Sequence, residues 1–485
     1  MTENTTSDDA ADVSTADTCT NDSRMNDDTE PSSDVLADPE PLADREDIDV
    51  HDNAPIDGAS TDRVPVDTDT RSSTGTDDTL AIDAPDNSLR DESITIRITG
   101  AAPNEPVEFD TSMEDPRGVE WQSSAIFTAD ANGVVDLGTR APESGSYEGT
   151  EPMGWLWSMT ATEDASVTGL RNAERSTVEL TATTTEQRAE RTITRRLSAP
   201  GVDRRPVESD RLVGTLFEPT GAGPHPGVIA LHGSGGDPAE DVAGLLASRG
   251  YAALALRYFG DAEPIPDELA RVPLSYFETA TTWLQSQEIV SDERIGVFGM
   301  SRGGELALLL GSRLDRIGAV VSYVGSGVAY NTPHGPSAWA EDGDPVSHVS
   351  ATDTHERPED VGTTPLLTRA LETADGATIR EATIPVEETD GPILLVSGGN
   401  DPVWPSRDLS QIAVERLRAR DFAYEFDHLT YDDAGHYITP PYLPKTDPIF
   451  GGTPAAMARA DEDAWPTALE YLSKGLESNE KGIDD

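Results

Sequence analysis

Ile295-Gly296-Val297-Phe298-Gly299-Met300-Ser301-Arg302-Gly303-Gly304-Glu305-Leu306-Ala307-Leu308-Leu309-Leu310 is the stretch that decides how this chain folds. An apolar run of strand type enters the pentapeptide Gly299-Met300-Ser301-Arg302-Gly303, and a helix-like run leaves it. The spacing G-x-S-x-G between strand and helix predicts a sharp turn that lifts a serine hydroxyl to the top of a sheet. Such a turn forces the serine into a strained backbone conformation. The residues two before and two after must then be small, or strand and helix collide.

Working outward, the texture from about residue 206 to 478 is α/β. Gly227 to Leu231 is an unbroken apolar run of the kind buried in a parallel sheet, followed by a Gly-rich turn and a helix over Glu240 to Ser248. Tyr251 to Leu256, Ile317 to Val324 and Pro392 to Val396 read as further strands, and Phe277 to Gln287 as a helix. Residues 331–388 are polar, rich in Gly and Pro and weakly periodic, and read as an insertion over the active site. The expected fold is an α/β-hydrolase domain.

A serine hydroxyl is a weak nucleophile and needs a histidine base that a carboxylate orients. In this fold the acid and then the histidine follow the serine along the chain. Asp401, in Gly398-Gly399-Asn400-Asp401-Pro402, stands just beyond the strand ending near Val396. His436, in Asp432-Asp433-Ala434-Gly435-His436, is late in the chain and sits in a loop after a glycine. The other candidates fit less well. His334, His348 and His355 fall in the insertion, His51 near the start, and His428 within a strand, while Asp432 and Asp433 read as solvated loop acids. For the oxyanion hole, one donor is expected from the backbone N–H of Arg302. The other is expected from His232-Gly233-Ser234-Gly235-Gly236, with Ser234 first and Gly233 and Gly235 beside it. That loop lacks the Lys-Ser/Thr ending of a phosphate-binding P-loop. No metal-ligand spacing is present, and neither a metal nor a cofactor is implied.

Composition bounds the setting. Of 485 residues, 91 are acidic and 35 basic, for a net charge of −56, and the only lysines are Lys445, Lys474 and Lys481. An acidic surface keeps a protein hydrated where salt screens charge repulsion, and at about 1 M salt the Debye length is only about 3 Å. The balance predicts a halophilic protein and argues against nucleic acid as a partner. The single cysteine, Cys19, excludes a disulfide framework. It lacks the apolar flank a lipid anchor needs, no apolar run reaches the roughly 20 residues of a membrane span, and a cytoplasmic location is expected.

Residues 1–91 should form a disordered acidic tail. The first 90 contain 25 acidic and 5 basic residues and no Phe, Tyr or Trp, too little apolar surface to offset ordering entropy. Over 92–205 the pattern changes to short alternating runs, beginning with Ser93 to Thr99 and continuing at Pro106 to Phe109, Trp121 to Thr128, Gly133 to Leu137 and Ser176 to Thr184. With turn residues such as Asn132-Gly133 between them, these predict an antiparallel β-sandwich. The hydrolase domain then occupies 206–478.

The combination resembles the acyl-CoA thioesterases grouped with bile acid-CoA:amino acid N-acyltransferase. In the first domain the resemblance rests on Ala141-Pro142, Gly145-Ser146-Tyr147 and Glu151-Pro152-Met153-Gly154-Trp155-Leu156-Trp157-Ser158. In the second it rests on Leu256-Arg257-Tyr258-Phe259, Pro273-Leu274-Ser275-Tyr276-Phe277-Glu278, Trp404-Pro405-Ser406, Gly451-Gly452-Thr453-Pro454 and Ala464-Trp465. It implies a β-sandwich packed on the hydrolase domain and an acyl-CoA substrate cleaved to free acid and CoA. The family's transferase branch carries a cysteine at the elbow, whereas this chain has Ser301, which favours water as the acyl acceptor. Either salt screens the repulsion of the polyanionic coenzyme or a local arginine patch offsets it, with Arg257 or Arg302 as contributors and a structural ion-pair role as the equal alternative for Arg257. The competing readings are a carboxylesterase or dienelactone-type hydrolase, an N-acyltransferase, and a non-catalytic binding protein.

Overall fold

The computed structural model describes residues 79–163, 165–207, 209–291, 293–332, 335–351 and 363–476. The expected tail over 1–78, with Cys19 and His51, lies outside the described residues, as do His334 and His355.

The larger module is built on an eight-stranded sheet. Its strands are β1 (Asp203–Pro206), β2 (Val213–Glu218), β3 (Gly227–Leu231), β4 (Ala252–Arg257), β5 (Ile295–Met300), β6 (Ile317–Tyr323), β7 (Ile393–Gly398) and β8 (Phe426–Tyr431). Their spatial order is β1-β2-β4-β3-β5-β6-β7-β8, parallel from β4 onward, with β1 and β2 antiparallel. This is the α/β-hydrolase sheet. Strands β3, β5, β6 and β7 are buried along their whole length, which is why they read as continuous apolar runs rather than alternating ones. Helices Glu240–Ser248, Leu274–Gln285, Arg302–Gly311, Ser406–Ala419 and Pro454–Leu476 pack around it. The sheet opens at Asp203, just before the expected boundary at 206, because Asp203–Pro206 pairs with Val213–Glu218.

The first module is a β-sandwich. A three-stranded sheet (Ala81–Asp83, Arg97–Thr99, Val135–Asp136) faces a larger one containing Arg188–Arg196, Arg175–Thr183, Pro106–Glu114 and Glu120–Thr128. Inward residues alternate with outward ones along Pro106–Glu114, and Val107, Phe109, Trp121, Phe127 and Val178 fill the space between the sheets. Two elements correct the sequence expectation. Ala81–Asp83 and Asn87–Leu89 fall in the stretch assigned to the tail, yet both are strands. Asn87–Leu89 pairs in parallel with Thr194 to Arg196, and the buried Arg195 donates to Ser88 Oγ at 3.0 Å and the Arg90 carbonyl at 2.6 Å. The strand Arg188–Arg196 carries four arginines and so gives no apolar alternation. Nine residue pairs with Arg175–Thr183 hold it in place.

The two modules share one continuous core containing Trp155, Trp157, Tyr437 and Trp465. At the seam Asp91 accepts from Arg249 at 2.7 Å and from Trp465 Nε1 at 2.9 Å. The insertion is more structured than expected: it includes helices Thr363–Thr373 and Gly376–Ala382 and the short strand Trp339–Glu341.

Candidate active site

Strand β5 ends at Met300, the helix Arg302–Gly311 begins at Arg302, and Ser301 alone makes the turn, with φ 56° and ψ −120°. A positive φ is uncommon for a side-chain-bearing residue and marks stored strain. The flanking bonds enforce it: Ser301 N–H donates to the Tyr323 carbonyl at 2.8 Å, and the Ser301 carbonyl accepts from the amides of Gly304 and Glu305. The glycines are steric necessities. A Cβ on Gly299 would collide with the Gly303 carbonyl, and one on Gly303 would lie 2.5 Å from the carbonyl oxygens of Leu231 and His232.

Asp401 and His436 project from the loops after β7 and β8. His436 Nε2 is 2.9 Å from Ser301 Oγ, and its Nδ1 is 2.8 Å from Asp401 Oδ2. The other carboxylate oxygen, Oδ1, accepts from the amides of Val403 (2.9 Å) and Trp404 (3.2 Å), so the acid is aimed by its own turn. Three residues 135 positions or fewer apart in sequence thus form one chain of hydrogen bonds in which imidazole can take the serine proton. His436 N–H donates to the Phe450 carbonyl at 2.7 Å, and the Trp404 indole stands edge-on to its ring. The other candidates are elsewhere: Asp432 pairs at the surface with Arg407, His428 meets Ser397 Oγ at 2.9 Å, and His348 bonds the Val346 carbonyl.

The glycine-rich loop after β3 lies against the nucleophile. A Cβ on Gly233 would sit 3.2 Å from Ser301 Cβ and 3.7 Å from its Oγ, and Gly233, Ser234 and Gly235 line the same cleft as Ser301 and His436. The Arg302 amide heads its helix, where no carbonyl of that helix can reach it. The loop is held from behind. His232 stacks on Tyr258 with ring centroids 3.9 Å apart, its Nδ1 bonds the Gly233 carbonyl at 2.8 Å, and Tyr258 Oη donates to the His232 carbonyl. Burial lowers the His232 pKa to about 4, which keeps the ring neutral with its proton on Nδ1 toward that carbonyl. Tyr258 belongs to Leu256-Arg257-Tyr258-Phe259, so that motif acquires a physical role the sequence alone did not give it.

Two expectations are corrected here. The Arg302 guanidinium does not reach toward substrate. It is largely covered, donating to Glu305 Oε2 (2.9 Å) and to the carbonyls of Tyr330 and Asn331, 5.2 Å from the Trp404 ring. Neither it nor Arg257 lines the cleft. Among the described residues the insertion also does not roof the cleft. Its described residues meet the site through two hydrogen bonds, Thr364 Oγ1 donating to the Asp401 carbonyl at 2.8 Å and Trp339 Nε1 to Glu305 at 2.6 Å. One wall is instead supplied by the β-sandwich through Thr168, Arg171 and Asn172, which no spacing in the sequence connects with Ser301.

Lys445 is a further residue that sequence reading missed. Its ammonium is fully buried, 2.5 Å from Asp461 Oδ2, and donates to the Tyr437 carbonyl (2.9 Å) and Thr439 Oγ1 (2.8 Å). Its backbone N–H donates to the Trp157 carbonyl of the β-sandwich. It thus clamps the loop that leaves His436. A lysine among apolar neighbours in a chain with only three of them was the available signal. Removing one partner of a buried pair strands the other charge, so Lys445→Met should cost roughly 3–5 kcal/mol of stability. Adding Asp461→Leu should recover most of it. Thermal melts of the single and double variants check this, and a single variant as stable as the parent would contradict it.

Fold and site together define an α/β-hydrolase with a serine–histidine–aspartate arrangement at the carboxyl end of its sheet and a β-sandwich against one wall. Residues 91–209 match the family described as acyl-CoA thioester hydrolase/BAAT N-terminal region, and residues 272–478 match BAAT/acyl-CoA thioester hydrolase C terminal. The chain belongs to this family. It is 33% identical over 428 residues to the peroxisomal succinyl-coenzyme A thioesterase of Mus musculus, covering 82% of this chain and 97% of that one. To the acyl-coenzyme A thioesterase 1 of Homo sapiens it is 32% identical over 430 residues, covering 84% and 98%. Among solved structures, the acylaminoacyl peptidase of Pyrococcus horikoshii aligns with 82% of this chain and 61% of its own, at 13% identity and a TM-score of 0.39.

Proposed function

We propose that this protein hydrolyses acyl-CoA thioesters to the free acid and CoA through an acyl-serine intermediate. The observation that carries the reading is the unbroken relay from Asp401 through His436 to Ser301, with contacts of 2.8 and 2.9 Å, in a chain of this family. His436 Nε2 takes the Ser301 proton as Oγ attacks the thioester carbonyl. The tetrahedral oxyanion is held by the Arg302 amide and an amide of the Gly233–Gly235 loop, Ser234 foremost. The C–S bond breaks, and the proton on His436 passes to the leaving sulfur. Water then enters, gives a proton to His436 and attacks the acyl ester. The second tetrahedral intermediate collapses, the proton returns to Ser301, and the acid leaves.

A serine ester is intercepted by water more readily than it is passed to an amine, which sets hydrolysis above acyl transfer. The setting that goes with this reading is cytoplasmic and saline. The single cysteine accords with a reducing compartment and the net charge of −56 with high salt. Among the described residues no helix is long and apolar enough to cross a membrane.

The test measures rates on a panel of CoA thioesters and on matched simple esters in molar KCl, with and without glycine or taurine. Faster turnover of CoA thioesters, with free acid as the product, is expected. A clear preference for simple esters would favour the carboxylesterase or dienelactone-type reading, and an amide product the transferase.

A further inference from the structure

Val324, the residue after strand β6, is held in a conformation that a β-branched side chain resists. Its φ is 42°, and among the described residues it is the only β-branched residue with a positive φ. Strain of this kind persists only where the surroundings impose it, and it collects at functional sites. Val324 is fully buried and packs at the cleft wall beside Ser301.

Two hydrogen bonds impose the strain. The Val324 N–H donates to the Val396 carbonyl of β7 at 2.7 Å, and the Val324 carbonyl accepts from Trp404 Nε1 at 2.7 Å. The second bond comes from a side chain outside the sheet. The turn is also pressed against the elbow. A Cβ on Gly304, in the helix after Ser301, would lie 3.0 Å from the Tyr323 carbonyl oxygen and 2.9 Å from Gly325 Cα.

Trp404 belongs to the turn that carries the acid. Its amide donates to Asp401 Oδ1 at 3.2 Å, and its ring takes the Arg302 guanidinium 5.2 Å from the centroid. One residue before Val324, the Tyr323 carbonyl accepts from the Ser301 N–H at 2.8 Å. A second chain of bonds therefore runs from Ser301 through Tyr323 and Val324 to the indole, and through the Trp404 backbone to Asp401. It joins the turn of the nucleophile to the turn of the acid without passing through His436. Trp404 itself does not line the cleft. Resting on the catalytic roles given to Ser301, His436 and Asp401 under the proposed function, we propose that Trp404 is a positioning residue. Its indole N–H holds Val324 in the strained turn and so sets the separation of Ser301 and Asp401 that His436 bridges.

The test is a double-mutant cycle between Trp404→Phe and Val324→Gly, made in the full chain and assayed in molar KCl. It is read as the rate of Ser301 labelling by a fluorophosphonate, and as kcat and KM. Phenylalanine keeps an aromatic face for Arg302 and removes the donor. Glycine adopts a positive φ without steric cost, so Val324→Gly makes the clamp unnecessary. In the parent, Trp404→Phe should slow labelling and kcat roughly tenfold, the size of one buried carbonyl left unpaired, with KM little changed. In the Val324→Gly background the same substitution should cost little. A tryptophan that only fills space gives the opposite, since two neighbouring side chains then shrink together and the loss is as large or larger. That result, or a Trp404→Phe variant labelled at the parent rate, overturns the proposal. Where Trp404→Phe does not fold, benzothienylalanine in place of Trp404 enters the same cycle, keeping the shape with sulfur where the N–H was. A parent that hydrolyses no CoA thioester would defeat the thioesterase reading alone. The labelling cycle still decides the role of Trp404, because it needs only the relay.

Discussion

Ser301→Ala should leave a folded protein that no longer reacts with a fluorophosphonate and turns over its substrate slower by roughly five to six orders of magnitude. The size follows from the loss of the only group that forms the covalent intermediate. What stays is the oxyanion hole and substrate binding, which by themselves retain roughly 10³–10⁴ over water. The fold should hold because, among the described residues, Ser301 Oγ bonds only His436, while the turn is set by the Ser301 backbone, Tyr323 and the glycines. Alanine accepts the same φ at much the same strain. Labelling by mass spectrometry and a thermal melt read the two halves of this expectation separately. Persistent labelling at another residue would remove Ser301 from its role.

Asp401→Asn is expected to lower kcat by about 10⁴ while KM changes little. The substitution is nearly isosteric, and the Asn Oδ1 can still accept from Val403 and Trp404 amides, so the turn should survive. The change lies at the other atom. An amide NH₂ now faces His436 Nδ1, which must become the acceptor, and the ring proton moves to Nε2. Nε2 then offers Ser301 Oγ a proton where a lone pair is required. Single-turnover kinetics and the rate of fluorophosphonate labelling measure the effect without reference to the best substrate. A near-native rate would show that Asp401 does not orient the base.

The relay was legible in the sequence because its parts are tied to backbone events. Ser301 needs small flanking residues, Asp401 follows a wholly apolar strand, and His436 follows a glycine whose Cβ would strike the Phe450 carbonyl. The buried strands β3, β5, β6 and β7 were legible for the same reason, being apolar throughout. The rest depended on contacts between distant parts of the chain. Arg188–Arg196 is a strand through its ladder with Arg175–Thr183 and not through its side chains. Asn87–Leu89 is ordered by pairing with that strand. Arg171 reaches the cleft only because the β-sandwich docks there, and Arg302 is spent on Glu305 because the insertion folds behind the elbow. Neither fact has a local signature.

The loop that carries His436 is anchored to the β-sandwich at three successive residues. Lys445 N–H bonds the Trp157 carbonyl, Thr446 Oγ1 the Met159 carbonyl at 2.7 Å, and Asp447 Oδ2 accepts from Ser166 Oγ at 2.8 Å. The smaller module is therefore scaffolding for the base as well as a wall for substrate. Chimeras that transplant either half from a relative would have to carry this joint along with it, since a hydrolase half presented by itself would lack the brace that keeps imidazole facing hydroxyl.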